Sequence, residues 1–194
     1  MHYLKIINTL KEKTDNVILF HSGTGKDSIM LADLCSKNFK KVYCVFMYLV
    51  KDLEYENRYI NWTKKKYPNI EFIQTPHYAI YSFIKYGYLG IKKDTLQSKT
   101  TISKIDEKIR KKININWSIY GFKKIDGITR RLMLNSTENG IMYKTQKAYP
   151  LMDLKNSDVL NYIKENNLIT PFNYGTLKPS SGCDISTPEF LYYL

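Results

Sequence analysis

Short apolar runs alternate with segments of helical periodicity over the first 74 residues of the sequence. The runs are rich in β-branched residues and predict buried strands at 16–21, 41–48 and 70–74. The segments between them predict helices at 3–13, 27–37 and 53–66. Strict alternation of strand and helix is typical of a doubly wound parallel sheet with right-handed crossovers. The sequence therefore predicts an α/β fold, with helices flanking the sheet.

The remainder of the chain predicts further elements of the same fold. Residues 77–113 predict two helical pieces, and 116–120 predict a strand that runs into a glycine. A last helix is predicted at 158–165, with Asn156 or Ser157 as its N-cap. From about residue 170 onward Pro, Gly, Ser and Asn dominate, which predicts a loop-rich end. Without an internal linker, residues 1–194 are expected to form one domain.

The charge balance is strongly basic. The chain has 30 basic and 18 acidic residues, a net charge of +12, and only four of the basic residues are arginine. Such an excess indicates a polyanion such as nucleic acid as a partner. The abundance of Lys, Ile, Asn and Tyr also matches the amino-acid bias of an AT-rich genome, and the lysines are spread along the chain. Both explanations stay open.

Segments for membrane insertion or secretion are not expected. The first 13 residues are amphipathic without an apolar core, and the longest apolar run, 42–50, is far shorter than a bilayer span. A cytoplasmic protein without membrane contact is predicted. The three cysteines, Cys35, Cys44 and Cys183, form no C-x-x-C pair. Disulfides, a zinc site and an iron–sulfur cluster are therefore not expected.

The clearest chemical signal lies between the first predicted strand and the second predicted helix. There the sequence reads Ser22-Gly-Thr-Gly-Lys-Asp-Ser28. Glycines let a backbone turn tightly around anionic oxygens, hydroxyl groups and a lysine donate to those oxygens, and the following helix N-terminus favours negative charge. This combination predicts a phosphate site whose nucleotide-binding residues are Ser22, Gly23, Thr24, Gly25, Lys26 and Ser28. A plain strand–turn–helix with Asp27 as N-cap is the alternative.

Two common phosphate loops do not fit this segment. A Walker A loop needs a glycine where Phe20 stands and a Ser or Thr where Asp27 stands, and the dinucleotide fingerprint needs a glycine at Ser28. The segment instead resembles the PP-loop motif S-G-G-x-D-S of the phosphoadenosine phosphosulfate (PAPS) reductase family, with one additional residue.

Four further segments resemble the same family in the same order. Residues 121–130 resemble G-[IF]-R-x-x-E-S-x-x-R, with Gly121, Lys123, Asp126 and Arg130 at the matching positions. Residues 149–163 resemble y-P-L-x-D-W-t-x-x-D-V-w-x-Y-I. Residues 171–175 and 181–183 resemble p-L-Y-x-x-G and s-x-G-C.

The resemblance implies an adenine nucleotide alpha hydrolase-like fold that binds ATP or PAPS. It implies that Lys123, Asp126 and Arg130 meet the phosphate or sulfate end of the nucleotide, and the adenine is expected near Phe46 and Met47. Asp27 is the candidate for organising the loop or a Mg²⁺ ion. In ATP-using relatives an acceptor attacks the α-phosphate and pyrophosphate leaves, so catalysis depends on positioning and charge neutralisation.

The catalytic chemistry stays open between three alternatives. The reductases' C-terminal E-C-G-L-H segment is absent, and Ser186 replaces the second cysteine of G-C-x-x-C-T. Adenylation of an unknown acceptor is the leading hypothesis, with Lys26 and Asp27 as catalytic residues. Thiol-dependent PAPS reduction through Cys183 and a non-catalytic nucleotide- or nucleic-acid-binding protein are the alternatives.

Overall fold

A computed structural model of the protein describes residues 2–21, 23 and 25–170. Within these residues the strands are β1 (Asn16–His21), β2 (Lys41–Tyr48), β3 (Ile70–Pro76), β4 (Ser118–Tyr120), β5 (Ile141–Met142) and β6 (Lys147–Ala148). The α-helices of the same part of the chain are α1 (His2–Lys11), α2 (Lys26–Asn38), α3 (Glu54–Lys66), α4 (Tyr78–Tyr86), α5 (Ile102–Ile113), α6 (Ile128–Asn135) and α7 (Asn156–Glu165). Short 3₁₀ turns cover Tyr88–Gly90 and Lys124–Asp126.

The strands form one sheet in the order β3-β2-β1-β4-β6-β5. All neighbours pair in parallel except β5 and β6, which form an antiparallel hairpin at the edge. The predicted doubly wound parallel sheet is therefore confirmed, with an antiparallel edge that the sequence did not indicate. Two-residue strands are too short to carry a detectable periodicity.

The chain reverses its direction of travel across the sheet after β3. It builds outward from β1 to β2 and β3, and then returns through α4 and α5 to place β4 on the other side of β1. Right-handed crossovers put α2 and α3 on one face of the sheet and α5 on the opposite face. The carboxyl ends of β1 and β4 thus flank a switch point, where ligands bind in sheets of this type.

The core lies on both faces of the central strands. Side chains with no solvent exposure come from β1, β2 and β4 and include Val17, Ile18, Leu19, Val42, Cys44, Val45 and Ile119. Helices α1 and α7 both pack against α2 on one face. On the opposite face Ile105 and Ile109 of α5 are buried in the same core. No helix in the described part of the chain is both long and apolar enough to cross a membrane.

The helix boundaries differ from the sequence-based ones at two informative places. Helix α2 begins at Lys26 with Gly25 as its N-cap, so Asp27 lies inside the first turn and is not the cap. Helix α7 begins at Asn156, so neither predicted cap residue takes that place; the backbone amide of Lys155 donates to Asp158 Oδ2 at 2.8 Å. In both helices an acidic side chain in the first turn faces the positive end of the helix dipole.

A buried carboxylate joins three of the helical segments. Asp33 of α2 has no solvent exposure and accepts hydrogen bonds from Tyr67 Oη at 2.8 Å and Tyr162 Oη at 2.5 Å. The Lys37 ammonium group lies 2.6 Å from the same carboxylate. Burial, followed by the hydrogen bond to Asp33, holds the pKa of both phenols above its ordinary value. Both hydroxyl groups therefore stay protonated donors that connect α3 and α7 to α2.

Replacement of this carboxylate should destabilise the fold strongly. We expect Asp33→Ala to lower the free energy of unfolding by about 3 kcal/mol or more, because two buried hydroxyl groups lose their acceptor and Lys37 loses its counter-ion. Urea denaturation measures the change. The control is Asp15→Ala, which removes the exposed Asp15–Lys40 pair at 2.7 Å and should cost at most about 1 kcal/mol. Equal losses in the two variants would contradict the structural role of Asp33.

Candidate functional site

The glycine-containing loop lies at the carboxyl end of the central strand β1. It leads directly into α2, whose N-terminus faces the edge of the sheet at which β1, β2 and β4 end. The positive end of the α2 dipole therefore points toward this edge, where it favours an anion. Ser22 and Thr24 lie outside the described residues, so their predicted hydroxyl contacts remain predictions.

Gly23 occupies a position that no other residue can fill without displacement. Its φ of +67° lies in the left-handed region, and a Cβ atom there would collide with Glu56 Oε2 and lie 2.8 Å from Phe46 Cε2. Gly23 itself is buried. Gly23 therefore lies tightly against Phe46 of β2 and Glu56 of α3, and this close approach explains the glycine.

Asp27 is held between two lysine ammonium groups at the start of α2. Its Oδ2 atom lies 2.9 Å from Lys26 Nζ and its Oδ1 atom 2.6 Å from Lys123 Nζ. The contact between Asp27 Oδ1 and Lys123 Nζ is a charge pair and does not have the geometry of a hydrogen bond. Both lysines are nearly buried, with 9% and 1% of their side chains exposed. Low exposure strengthens these charge interactions relative to those at an open surface.

The segment after β4 reaches this pair because Gly121 permits a close approach. A Cβ atom at Gly121 would lie 3.3 Å from Leu31 Cδ1 and 3.5 Å from Asp27 Cβ, so a larger residue would press on Leu31 at this close approach. Asp126 accepts a hydrogen bond from the Lys123 backbone amide at 2.8 Å and its carboxylate lies 3.5 Å from Lys123 Nζ. Asp126 thus holds the turn that presents Lys123. Its predicted contact with a nucleotide stays a prediction.

Arg130 lies in the first turn of α6 and stacks on an aromatic side chain. Its guanidinium carbon is 3.5 Å from the centroid of the Phe122 ring, a cation–π contact. Among the described residues it forms no ion pair, unlike Lys123. Its donors therefore have no carboxylate partner in this part of the chain, which suits a residue that meets an anionic ligand.

The two residues predicted to contact adenine differ in their surroundings. Phe46 is only 3% exposed, and its ring lies against Gly23. Met47 is partly buried and packs against the core. Neither observation tests the adenine contact, which stays a prediction.

The structure places one further acidic residue, Glu56, against Gly23, and no motif in the sequence singles it out. Glu56 lies in the first turn of α3, is 2% exposed, and its carboxylate faces Gly23. The available signal was an acidic residue near the start of a helix that follows β2. Because β2 ends beside β1, that helix start lies near the loop, but periodicity alone does not distinguish Glu56 from the exposed Glu54.

The cysteines of the described residues are not reactive thiols. Cys35 and Cys44 are fully buried and free, and burial raises the pKa of both thiols far above the ordinary value. They are core residues, as their positions in a predicted helix and strand indicate. Cys183, with the motif residues 171–175 and 181–183, lies outside the described residues.

The PAPS reductase domain profile matches residues 16–186. The chain therefore belongs to the phosphoadenosine phosphosulfate reductase domain family, as its motifs indicate. No curated protein matches the sequence significantly.

Solved structures of PP-loop enzymes share the fold. NMN synthetase from Francisella tularensis superposes with a TM-score of 0.58 at 18% identity, covering 100% of this chain and 80% of that one. NH3-dependent NAD synthetase from Campylobacter jejuni, in complex with the nitrate ion, gives 0.56 at 19% identity, with 86% and 72% covered. The U34-tRNA thiolase NcsA from Methanococcus maripaludis, with its 4Fe-4S cluster, gives 0.49 at 17% identity, with 90% and 68% covered.

The prediction that excludes an iron–sulfur cluster is wrong. NcsA, one of the solved structures above, carries a 4Fe-4S cluster. Cluster ligands can be distant in sequence and meet only in the folded chain. In the described part of this chain, no group of three or more His, Cys, Asp or Glu side chains could hold a metal ion. The Mg²⁺ role of Asp27 stays a prediction.

The charge pair between Asp27 and Lys123 should stabilise the fold measurably. We expect a double-mutant cycle with Asp27→Asn and Lys123→Met to give a coupling energy above about 1.5 kcal/mol, because Lys123 is buried. Urea unfolding of the four proteins measures it. The control cycle uses Lys124→Met and Asp153→Asn, a pair at 2.7 Å with both side chains about one-third exposed, and should give less than about 1 kcal/mol. A smaller coupling for Asp27–Lys123 than for the control would contradict our interpretation.

Proposed function

We propose that this protein is an enzyme that binds an adenine nucleotide at residues 22–28 and transfers its adenylyl group to an acceptor. The observation that carries the proposal is the contact between Asp27 and Lys123. It joins the loop after β1 to the segment after β4 at the switch point of the sheet. Family membership and the enzymes that share the fold support the same type of ligand.

Several cations at the site could contact a phosphate chain. Lys26 and Lys123 flank Asp27, and Arg130 lies in the same sequence motif as Lys123. The carboxylate of Asp126 also lies 3.5 Å from Lys123, and that of Glu56 faces Gly23, so the cations are balanced by nearby carboxylates until a ligand binds. Nucleotide phosphates would compete with Asp27 for the lysine ammonium groups, and the α2 dipole would favour them. In this proposal Asp27 keeps the two lysines in place until the phosphates arrive.

The proposed reaction needs no covalent protein group. A nucleophilic oxygen, nitrogen or sulfur of the acceptor attacks the α-phosphorus, a new bond to phosphorus forms, and the bond to the bridging oxygen breaks. Pyrophosphate leaves with that electron pair. Lys26 and Lys123 would stabilise the charge that develops on the phosphate oxygens, which is the main protein contribution to phosphoryl-type transfer.

PAPS is the second candidate nucleotide, because the matched family is named for PAPS reduction and the match extends across Cys183. Reduction requires a thiolate that attacks sulfur and a second reductant that resolves the product. Ser186 stands where the family motif has its second cysteine. The adenylation hypothesis therefore ranks first, and a binding protein without catalysis is the remaining alternative.

Arg130 offers a direct test of the phosphate site. We expect Arg130→Gln to weaken ATP binding by about 1.5–3 kcal/mol, the range for charged hydrogen bonds, while adenosine binding stays nearly unchanged. Isothermal titration measures both ligands. The matched control is Arg131→Gln, the exposed neighbouring arginine, which removes the same charge. Equal losses in the two variants, or an equal loss for adenosine, would contradict a specific phosphate contact.

The reaction class is tested by the products of ATP. We expect slow formation of AMP and pyrophosphate with water as acceptor, and we expect the Cys183→Ser variant to retain most of this activity, because positioning and charge supply the rate. Chromatography of the nucleotides, with a coupled pyrophosphate assay, measures it. Sulfite release from PAPS that is lost in Cys183→Ser would establish the reductase instead. Tight ATP binding without either product would favour the binding protein.

A further inference from the structure

Helix α4 is apolar but does not contribute a single buried residue. Seven of its nine residues, in the sequence YAIYSFIKY, are aliphatic or aromatic, yet every one of the nine retains solvent exposure. For comparison, α1 has nearly the same length and buries four residues. The described part of the chain thus leaves the apolar side chains of α4 without full cover. Exposed apolar groups in a cluster mark interaction sites in soluble proteins.

Aromatic rings and aliphatic side chains continue beyond α4. Tyr78 is 39% exposed, Tyr86 41% and Tyr88 55%. The rings of Tyr86 and Tyr88 lie with their centroids 5.5 Å apart and their planes inclined by 35°. Leu96, at 92% exposure, lies in the same stretch. We call residues 78–100 the tyrosine surface.

Lysines accompany these rings. Residues 78–100 contain Lys85, Lys92, Lys93 and Lys99 against one acidic residue, Asp94. The Asp94 carboxylate is engaged locally, because Oδ1 accepts from the Leu96 backbone amide at 2.9 Å. The Lys99 ammonium group lies 4.8 Å from the centroid of the Tyr86 ring. Exposed flat rings thus occur together with uncompensated positive charge.

This combination distinguishes between the possible partners. Protein–protein interfaces are depleted in lysine, whereas four lysines lie among these rings. A nucleic-acid duplex keeps its bases stacked inside and offers phosphates but no open base faces. A single strand offers both, because its bases stack on aromatic side chains while its phosphates meet cations.

We propose that the tyrosine surface binds single-stranded nucleic acid. Bases stack on the exposed tyrosines, and the phosphates between them contact Lys92, Lys93 and Lys99. The surface begins two residues after Pro76, the last residue of β3, and β3 ends at the same edge of the sheet as β1. The first residue of the tyrosine surface is therefore close to the sheet edge at which β1 also ends, two strands away from β1. The proposal stands without the nucleotide chemistry proposed above.

Fluorescence anisotropy with a labelled 16-nucleotide oligouridine tests the proposal. We expect Tyr86→Ala/Tyr88→Ala to weaken binding at least about fivefold for each stacked base that is lost. We expect the variant Lys92→Gln/Lys93→Gln to reduce the slope of log affinity against log salt by about 1.4, since each phosphate contact on a single strand contributes about 0.7. A duplex of the same length should bind more weakly than the single strand.

Control variants at other exposed positions test whether binding requires the tyrosine surface or only positive charge anywhere on the protein. Tyr143→Ala removes a tyrosine of 42% exposure on the β5–β6 hairpin, and Lys5→Gln/Lys13→Gln removes two exposed lysines in and after α1. Both should bind the oligonucleotide like the parent protein. The proposal would be overturned if the Tyr86/Tyr88 variant bound the oligonucleotide as the parent protein does, or if the protein showed no binding at low salt. It would also be overturned if duplex and single strand bound equally well, or if the control lysine variant lost as much affinity as the Lys92/Lys93 variant.

Two further measurements test whether each variant is folded and whether the protein self-associates. Circular dichroism and thermal unfolding establish that each variant is folded, which is expected because the altered side chains are exposed. Sedimentation velocity tests self-association, and a dimer that dissociates in the Tyr86/Tyr88 variant would identify a second copy of the chain as the occupant and overturn the proposal. The effect of ATP on the melting temperature is measured separately, so that a failed nucleotide site and a failed strand site give different results.

Discussion

The position of β1 between β2 and β4 is the constraint on which the other features of this structure depend. Parallel pairing on both sides places the carboxyl ends of three strands at one edge, and the reversal after β3 opens the switch point between β1 and β4. The loop after β1 and the segment after β4 are about 100 residues apart in sequence. Only this arrangement lets Asp27 meet Lys123 at 2.6 Å.

That contact has consequences for stability and for binding. Lys123 is almost fully buried, and a buried ammonium group without a counter-ion would be costly, so Asp27 stabilises this buried charge. In the nucleotide complex that we propose, the phosphates would replace Asp27 as the partner of the lysines. The free energy of binding would then be a difference between two sets of charge contacts.

Aromatic side chains connect the central strand β1 to the segment after β4 that carries Arg130. Phe20 of β1 stacks on Tyr120 of β4 with their centroids 4.7 Å apart, and Tyr120 lies 5.2 Å from Phe122 by the same measure. Arg130 then covers Phe122. Stacked rings restrict the orientation of a guanidinium group, so the position of Arg130 is determined by the core through Phe122. On the tyrosine surface, by contrast, the aromatic rings are exposed to solvent, so they can contact a binding partner.

The sequence alone determined the fold class, the order of the main elements and the family, because these depend on local periodicity and on motifs in a fixed order. The strands β1 and β2 have the bounds that the apolar runs predict, and the structure places Gly121 and Lys123 beside Asp27. Periodicity did not reveal the β5–β6 hairpin, whose strands have two residues each, or the N-cap of α2 at Gly25. The tertiary structure alone decided the counter-ion of Asp27, the burial of Glu56 against Gly23, and the exposure of α4. Each of these is a relation between residues that are distant in the chain or between a helix and its neighbours. The local sequence around a residue does not show which distant residue will contact it in the folded chain, or whether any will.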